Sequence, residues 1–219
     1  MKAKILLSAP SSGSGKTMLA RGLMSIMKSK GYTVQPFKCG PDYIDTKFHE
    51  AVCGRPSINL DSFMASHEHV VEIFNKYSGD ADIAIVEGMM GLFDGYDRSK
   101  GSTAEIARIL NIPVTLVIDP SSAAYSVAPV IQGFVNFDPT IKIQGVIFNK
   151  VKSPRHEKLL RQVCTDLNVD CFGCVPKSNM LENGSRYLGL DFSKHDKSNY
   201  NEFVDFIDRY VDWEKIIGL

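Results

Sequence analysis

The stretch ILLSAPSSGSGKT, residues 5–17, decides how the rest of the chain is read. Three apolar residues, Ile5, Leu6 and Leu7, run into small and hydroxylated ones, then Ser12, Gly13, Ser14, Gly15, Lys16 and Thr17. Leu19, Leu23, Ile26 and Met27 follow at spacings of three and four, one face of a helix. Buried strand, glycine-bearing loop, Lys-Thr pair and helix, in that order, form a phosphate-binding loop, because backbone N–H groups of the loop and helix N-terminus converge on an anion. Lys16 then reaches the β- and γ-phosphates of a nucleotide, and the Thr17 hydroxyl ligates Mg²⁺. The usual spacing places a glycine at position 10, where this chain has Pro10. That departure leaves the Lys-Thr pair at the helix start.

The 219 residues are 44% apolar with no long apolar run, which predicts a globular chain with one sizeable core and no membrane span. Lys+Arg and Asp+Glu balance at 25 each, so no nucleic-acid surface is expected and an anionic ligand must be met by a local patch. Five scattered cysteines suit a reducing compartment, and a cytoplasmic protein is expected. Cys171 and Cys174 have C-x-x-C spacing, but no second pair accompanies them and they lie in a strand-like stretch. They are not read as a metal or redox site.

Beyond the first strand, apolar runs predict strands at Thr33–Phe37, Ile83–Val86, Val114–Ile118, Gln144–Phe148 and Val169–Val175. Helical periodicity falls between them at His67–Lys76, Thr103–Leu110, Ala123–Val135 and Arg155–Leu167, with Gly31 closing the first helix. Alternating strands and helices predict a three-layer α/β fold of the P-loop NTPase kind, a mainly parallel sheet with helices on both faces. Ligands of such sheets bind beyond the carboxyl ends of the strands.

Polar residues gather at that edge. The loop FKCGPDYIDTKFH, residues 37–49, packs Lys38, Asp42, Asp45, Lys47 and His49 together. Asp45 is placed to hold Mg²⁺ and Lys38 to neutralise a transferring phosphoryl group. His49 is read as a structural hydrogen-bonding residue rather than a catalyst. The strand IAIVEG ends in Glu87, the second Mg²⁺ anchor of such a fold, and runs into a glycine-bearing loop holding Asp94. Ser102 and Glu105 read as a helix cap.

SAPSSGSGKT, QPFKCGPDYIDTKFH, RPSINLDSFM, VEGMMGLFDG, GSTAEIARIL and GVIFNKVKSPRHEKLL together resemble the cobyrinic acid a,c-diamide synthases. These are P-loop amidoligases related to dethiobiotin synthetase and cobyric acid synthase. The likeness extends to about Leu190 and implies a synthetase domain over 1–190, with 191–219 a helical extension or the start of a linker. It implies that ATP phosphorylates an acetate carboxylate of a corrinoid and that ammonia then displaces phosphate to give an amide. Lys38, Asp42, Asp45, Glu87 and Asp94 would serve the chemistry, Thr17, Asp45 and Glu87 the metal, Tyr43 and Ile44 the choice of carboxylate, and Asn149 the adenine. Met18 stands where relatives carry a second threonine, a loss of about one hydrogen bond, roughly 0.5–1.5 kcal/mol. Lys47, Arg55, Arg98 and Lys100 are candidate contacts for substrate carboxylates.

In that family ammonia comes from a glutamine amidotransferase domain, which this chain ends too early to contain. Either the glutaminase is a separate chain, or this is a shortened piece of a longer one, with free ammonia able to substitute. A homodimer is expected by the same likeness. The sequence leaves the macrocycle open between cobyrinic acid, hydrogenobyrinic acid and nickel sirohydrochlorin. A regulatory or partitioning ATPase is the rival from another class, but those often carry an extra lysine where this chain has Ser11 and Ser12. Lys16→Ala is expected to abolish ATP-dependent phosphate release while leaving the circular dichroism spectrum unchanged; residual turnover would remove Lys16 from phosphate binding.

Overall fold

β1 (Ala3–Ser8) lies at the centre of the sheet, paired in parallel with β4 (Ile83–Glu87) on one side and β5 (Val114–Ile118) on the other. β2 (Val34–Cys39) and β3 (Ile58–Leu60) lie outside β4, and β6 (Ile143–Val151) and β7 (Asp170–Pro176) outside β5. The order is β3-β2-β4-β1-β5-β6-β7, seven strands with every pair parallel. The structure, a computed structural model, describes residues 3–178 and 197–219, so the boundary expected at residue 190 lies outside them. Among the described residues no helix is long and apolar enough to cross a membrane.

Two cores sandwich the sheet, which is why its strands are apolar on both faces. Leu6, Val86, Leu116 and Phe148 point into one core, covered by α3 (His67–Ser78), α4 (Thr103–Leu110), α5 (Val127–Phe137) and α6 (Pro154–Asp166). Ile5, Leu7, Ile85 and Ile147 point into the other, covered by α1 (Lys16–Ser29), α2 (Asp45–Cys53), α7 (Lys197–Tyr210) and α8 (Trp213–Ile217). The alternation of Ile5, Leu6 and Leu7 between the cores is the period-two geometry of a strand. The extension expected over 191–219 is helical from Lys197 and belongs to this second core through Phe203, Val204, Ile207, Trp213 and Ile216.

Local signals account for most boundaries. Gly31 closes α1 at φ 86°, with its N–H bonded to Lys28 O at 3.1 Å and the Tyr32 N–H to Met27 O at 3.1 Å, the paired bonds of a Schellman turn. Ser66, Ser102 and Ser153 cap α3, α4 and α6 with their hydroxyls. Two expectations need correction, and β3 was not read from the sequence. β3 has only three residues, too few to carry an alternation. Asp45–Cys53 is helix, not loop; its exposed charges hide a short buried face of Phe48, His49 and Cys53. α5 starts at Val127 rather than Ala123, which leaves Pro129 in the first turn, where its missing N–H costs nothing.

α1 and α7 approach closely at Gly22, where a Cβ would lie 2.8 Å from Ile207 Cγ1 and 3.2 Å from its Cβ. Gly22→Ala would gain about 1 kcal/mol of helix propensity, but the overlap is with the rigid root of a branched side chain and costs about 1–3 kcal/mol. The overlap wins: urea unfolding of Gly22→Ala is expected to show net destabilisation, and an unchanged or higher midpoint would mean the two helices part freely.

Candidate active site

The loop from Ala9 to Gly15 joins β1 to α1 through two residues in the left-handed region, Gly13 at φ 80° and Gly15 at φ 92°. Gly15 has no alternative, since a Cβ there would meet the Asn149 side-chain nitrogen at 2.1 Å. Unlike α3, α4 and α6, α1 has no side-chain cap, so its first-turn N–H groups remain for a ligand. Ser14 Oγ donates to Ser11 O at 3.0 Å, and Asn149 Nδ2 donates to Ser14 O at 2.9 Å. Lys150 Nζ reaches Gly13 O at 2.9 Å and Asp119 Oδ2 at 2.6 Å. The Lys16 ammonium donates to Met90 O at 2.5 Å and Ser11 O at 3.2 Å, bridging this loop to the one after β4. Burial lowers its pKa, opposed by Glu87 and assisted by Lys38.

Behind the loop lies a buried charge cluster. Lys38 and Glu87 are register partners on β2 and β4, and Lys38 Nζ donates to Glu87 Oε1 at 2.7 Å. The same ammonium bonds the Asp45 carboxylate at the start of α2 and lies 3.7 Å from Asp42. Thr17 Oγ1 donates to Glu87 Oε1 at 2.6 Å and sits 3.4 Å from Asp45 Oδ2. His49, one turn beyond Asp45, meets the other Glu87 oxygen through Nε2 at 2.7 Å and Ser57 Oγ through Nδ1 at 3.1 Å. An ionised carboxylate only accepts, so Nε2 carries the proton toward Glu87.

Glu87 is 0% exposed. Burial alone would push its carboxyl up, but the His49 hydrogen bond and the charge and hydrogen bond of Lys38 outweigh that and bring it down to about 2. For Lys38, burial pulls down while Glu87 and Asp45 pull up harder, so its net shift is upward. Asp45 goes the other way from Glu87: burial and the neighbouring Glu87 charge raise it despite Lys38.

The remaining expected residues fall unequally. Asp42 Oδ1 accepts the N–H groups of Ile44 and Asp45 at 2.8 Å each, so it shapes the start of α2 as well as facing Lys38. Asp94 is exposed and its Oδ2 accepts the Gly91 N–H at 2.8 Å, which orders the loop after β4. Tyr43 and Ile44 project into solvent from the rim, Tyr43 at 78% exposure. Asn149 is buried and spends its amide on Ser14 O and the Lys150 N–H. Arg55 is held by Asp80 at 2.6 Å and Gln35 at 3.0 Å at the opposite edge of the sheet, away from the site. One participant was missed: Lys150 follows Asn149 directly at the carboxyl end of β6. His49, read as a structural hydrogen-bonding residue, has that place in the structure, at i+4 from Asp45 on one face of α2. Ser102 and Glu105 form the cap read from the sequence.

Loop and cluster share one cleft of ≈ 710 Å³. It is lined by Gly13, Lys16 and Thr17 together with Lys38, Asp45 and Glu87. Residues 5–188 match the CobQ/CobB/MinD/ParA nucleotide binding domain. The chain belongs to this family. Within it, a cobyrinate a,c-diamide synthase from Caldanaerobacter subterraneus subsp. tengcongensis is 44% identical over 220 positions, covering 98% of this chain and 48% of that protein. A hydrogenobyrinate a,c-diamide synthase from Streptomyces coelicolor is 45% identical over 189 positions, covering 85% of this chain and 39% of that protein. The chain thus spans about half the length of the relatives it matches, or less. Among solved structures, the Aquifex aeolicus MinC:MinD cell division complex contains a chain that superposes with a TM-score of 0.57 over 94% of this chain and 95% of that one. At 14% identity that likeness concerns the fold alone.

Because Glu87 is held below its unfolded value, it contributes stability above pH ~4.5 that is lost as pH falls through the folded value of about 2. This is worth about 3 kcal/mol, partly offset by the raised Asp45. The stability advantage of the native protein over Glu87→Gln in urea unfolding is therefore expected to shrink between pH 5 and pH ~2. A constant difference across that range would show that Glu87 is not ionised by its neighbours.

Proposed function

We propose that this domain uses ATP to activate an acetate carboxylate of a corrinoid as an acyl phosphate, which ammonia converts to an amide. The observation that carries this reading is the single cleft in which a phosphate loop opens directly onto Lys38, Asp45 and Glu87. A carboxylate cannot be amidated directly, since ammonia cannot expel oxide. Attack of a carboxylate oxygen on the γ-phosphorus, with ADP leaving, supplies a phosphate leaving group. Ammonia then attacks the acyl carbon, phosphate departs and a proton is lost. Ammonia comes from glutamine through an amidotransferase domain or subunit, or from free ammonium. The synthetase unit is assigned to residues 1–190, with the helices from Lys197 onward packed against its core.

Two anions must meet in the first step, so the residues' task is to neutralise and orient. In this reading Lys16 meets the terminal phosphates and Lys38 the transferring group, while the hydrogen bonds of His49 and Thr17 keep Glu87 in place. Among the described residues no trio of His, Cys, Asp or Glu is arranged to hold a metal alone. Thr17, Asp45 and Glu87 nevertheless present only oxygen, the donor set that suits Mg²⁺ when nucleotide phosphates complete it. Mg²⁺ held there would withdraw charge from the terminal phosphates.

The rim also fits a large apolar ring. Tyr43, Ile44, Phe63, Met64, Met90 and Tyr96 are exposed large apolar side chains on the loops that follow β2, β3 and β4, and Phe63 and Tyr96 pair with ring centroids 4.7 Å apart. A macrocycle on these residues would bring its peripheral acetates to the cleft. Cobyrinate and hydrogenobyrinate are the substrates named for the two synthase relatives.

With ATP, Mg²⁺ and ammonium, phosphate release is expected only when cobyrinic or hydrogenobyrinic acid is added. Turnover indifferent to the macrocycle would instead favour a nucleotide switch. Asp45→Asn and Glu87→Gln should each lower turnover by roughly a hundredfold with little change in nucleotide affinity. Phe63→Ala combined with Tyr96→Ala should raise KM for the macrocycle about tenfold with kcat retained; an unchanged KM would remove the rim from substrate binding.

A further inference from the structure

Away from the cleft, three thiols come together beneath α6. Cys171 and Cys174 are three apart on β7 and would face opposite sides of a regular strand. The pairing of β6 with β7 slips between Val146 and Ile147, opposite Cys171 and Gly173, which leaves Phe172 as an extra residue. The bulge turns Phe172 and Val175 into the core of α1 and α7, and both cysteines toward α6, where Cys164 lies. Cys171 Sγ is 4.0 Å from Cys174 Sγ and 3.8 Å from Arg161 Nη1, and it packs against the core that holds Cys164.

The three are not equivalent. Cys164 and Cys174 are buried, whereas Cys171 is partly exposed and lines an open cleft with Arg161, Asn168 and Lys215. Hydrogen bonds from Cys164, then Cys174, lower the Cys171 pKa against burial, while Cys164 and Cys174 are raised. Cys39 and Cys53, alone in the core, are pushed up to about 12 by burial. One thiol therefore combines a neighbouring guanidinium, access to solvent and two adjacent thiols, with its pKa shifted downward, the combination found in oxidisable cysteines.

We propose that Cys171 is a peroxide-reactive thiol that Cys164 resolves into a Cys164–Cys171 disulfide. The Cys171 thiolate attacks one peroxide oxygen, the O–O bond breaks, hydroxide leaves and a sulfenic acid forms. Cys164 loses its proton as its sulfur attacks Cys171 Sγ, the S–O bond breaks, water leaves and the S–S bond forms. Two thiols supply two electrons, and one peroxide becomes two waters. Cys174 is the poorer resolving partner: three residues of strand span roughly 10 Å, and a disulfide tolerates about 7 Å between Cα atoms. Cys164 reaches down from α6, whose end is fixed over the start of β7 by the Val169 N–H to Cys164 O bond of 2.9 Å.

The reduced chain treated with hydrogen peroxide, alkylated and digested with Asp-N reads this out, because cleavage before Asp166 and Asp170 separates Cys164 from Cys171 but leaves Cys171 and Cys174 in one peptide. The expected product is a linked Cys164–Cys171 peptide pair, formed at least about tenfold faster than oxidation of Cys39 or Cys53. In Cys164→Ala a sulfenic acid on Cys171 should persist and be trapped by dimedone. Cys171 remaining reduced as long as Cys39 and Cys53, or a bridge confined to the Cys171–Cys174 peptide, overturns the proposal. The wild-type digest stands by itself if a variant fails to fold.

Discussion

A carboxylate sealed from water on Glu87 is the constraint around which the cleft is built. An ion of that size costs several kcal/mol to bury unless every lone pair is met. Here Lys38 and Thr17 reach one oxygen and His49 the other. These partners come from β2, α1 and α2, so satisfying one charge fixes three elements relative to β4. Removing any partner leaves charge uncompensated in the interior, which costs more than the net worth of the pair itself.

Under the proposed function the same arrangement would serve phosphoryl transfer. Lys38 is held between Glu87 and Asp45, so positive charge stands in advance at the cleft. The phosphate loop is fastened from the other flank, Asn149 gripping Ser14 O and Lys150 gripping Gly13 O from the end of β6. Gly15 has to be glycine because Asn149 fills the space a side chain would need. Loop, carboxylates and lysines thus meet at the carboxyl edge of a parallel sheet, where such folds place their ligands.

Much of this was legible in the chain itself. Ile5–Leu7 followed by Gly13–Thr17 specifies strand, loop and helix through local chemistry alone, and the apolar runs at Ile83–Val86 and Val114–Ile118 are long enough to declare buried strands. Asp45, Glu87, Thr17 and Lys38 were named from position relative to strand ends, and the fold brings those four together. Other features depend on long-range geometry. α2 hides behind its charges and β3 behind its brevity. Arg55 looks free until Asp80, 25 residues away, is seen to hold it. The bulge in β7 that turns Cys174 beside Cys171 comes from pairing with β6, and no spacing rule within CFGC reveals it.

The most direct test is a ¹³C NMR titration of the Glu87 side-chain carboxyl in the folded protein. Ionisation with a midpoint near pH 2 is expected, rising well above the ordinary carboxylate range in Lys38→Met. A midpoint at or above 4.5 in the native protein, or one indifferent to Lys38, would contradict a carboxylate kept charged by its partners.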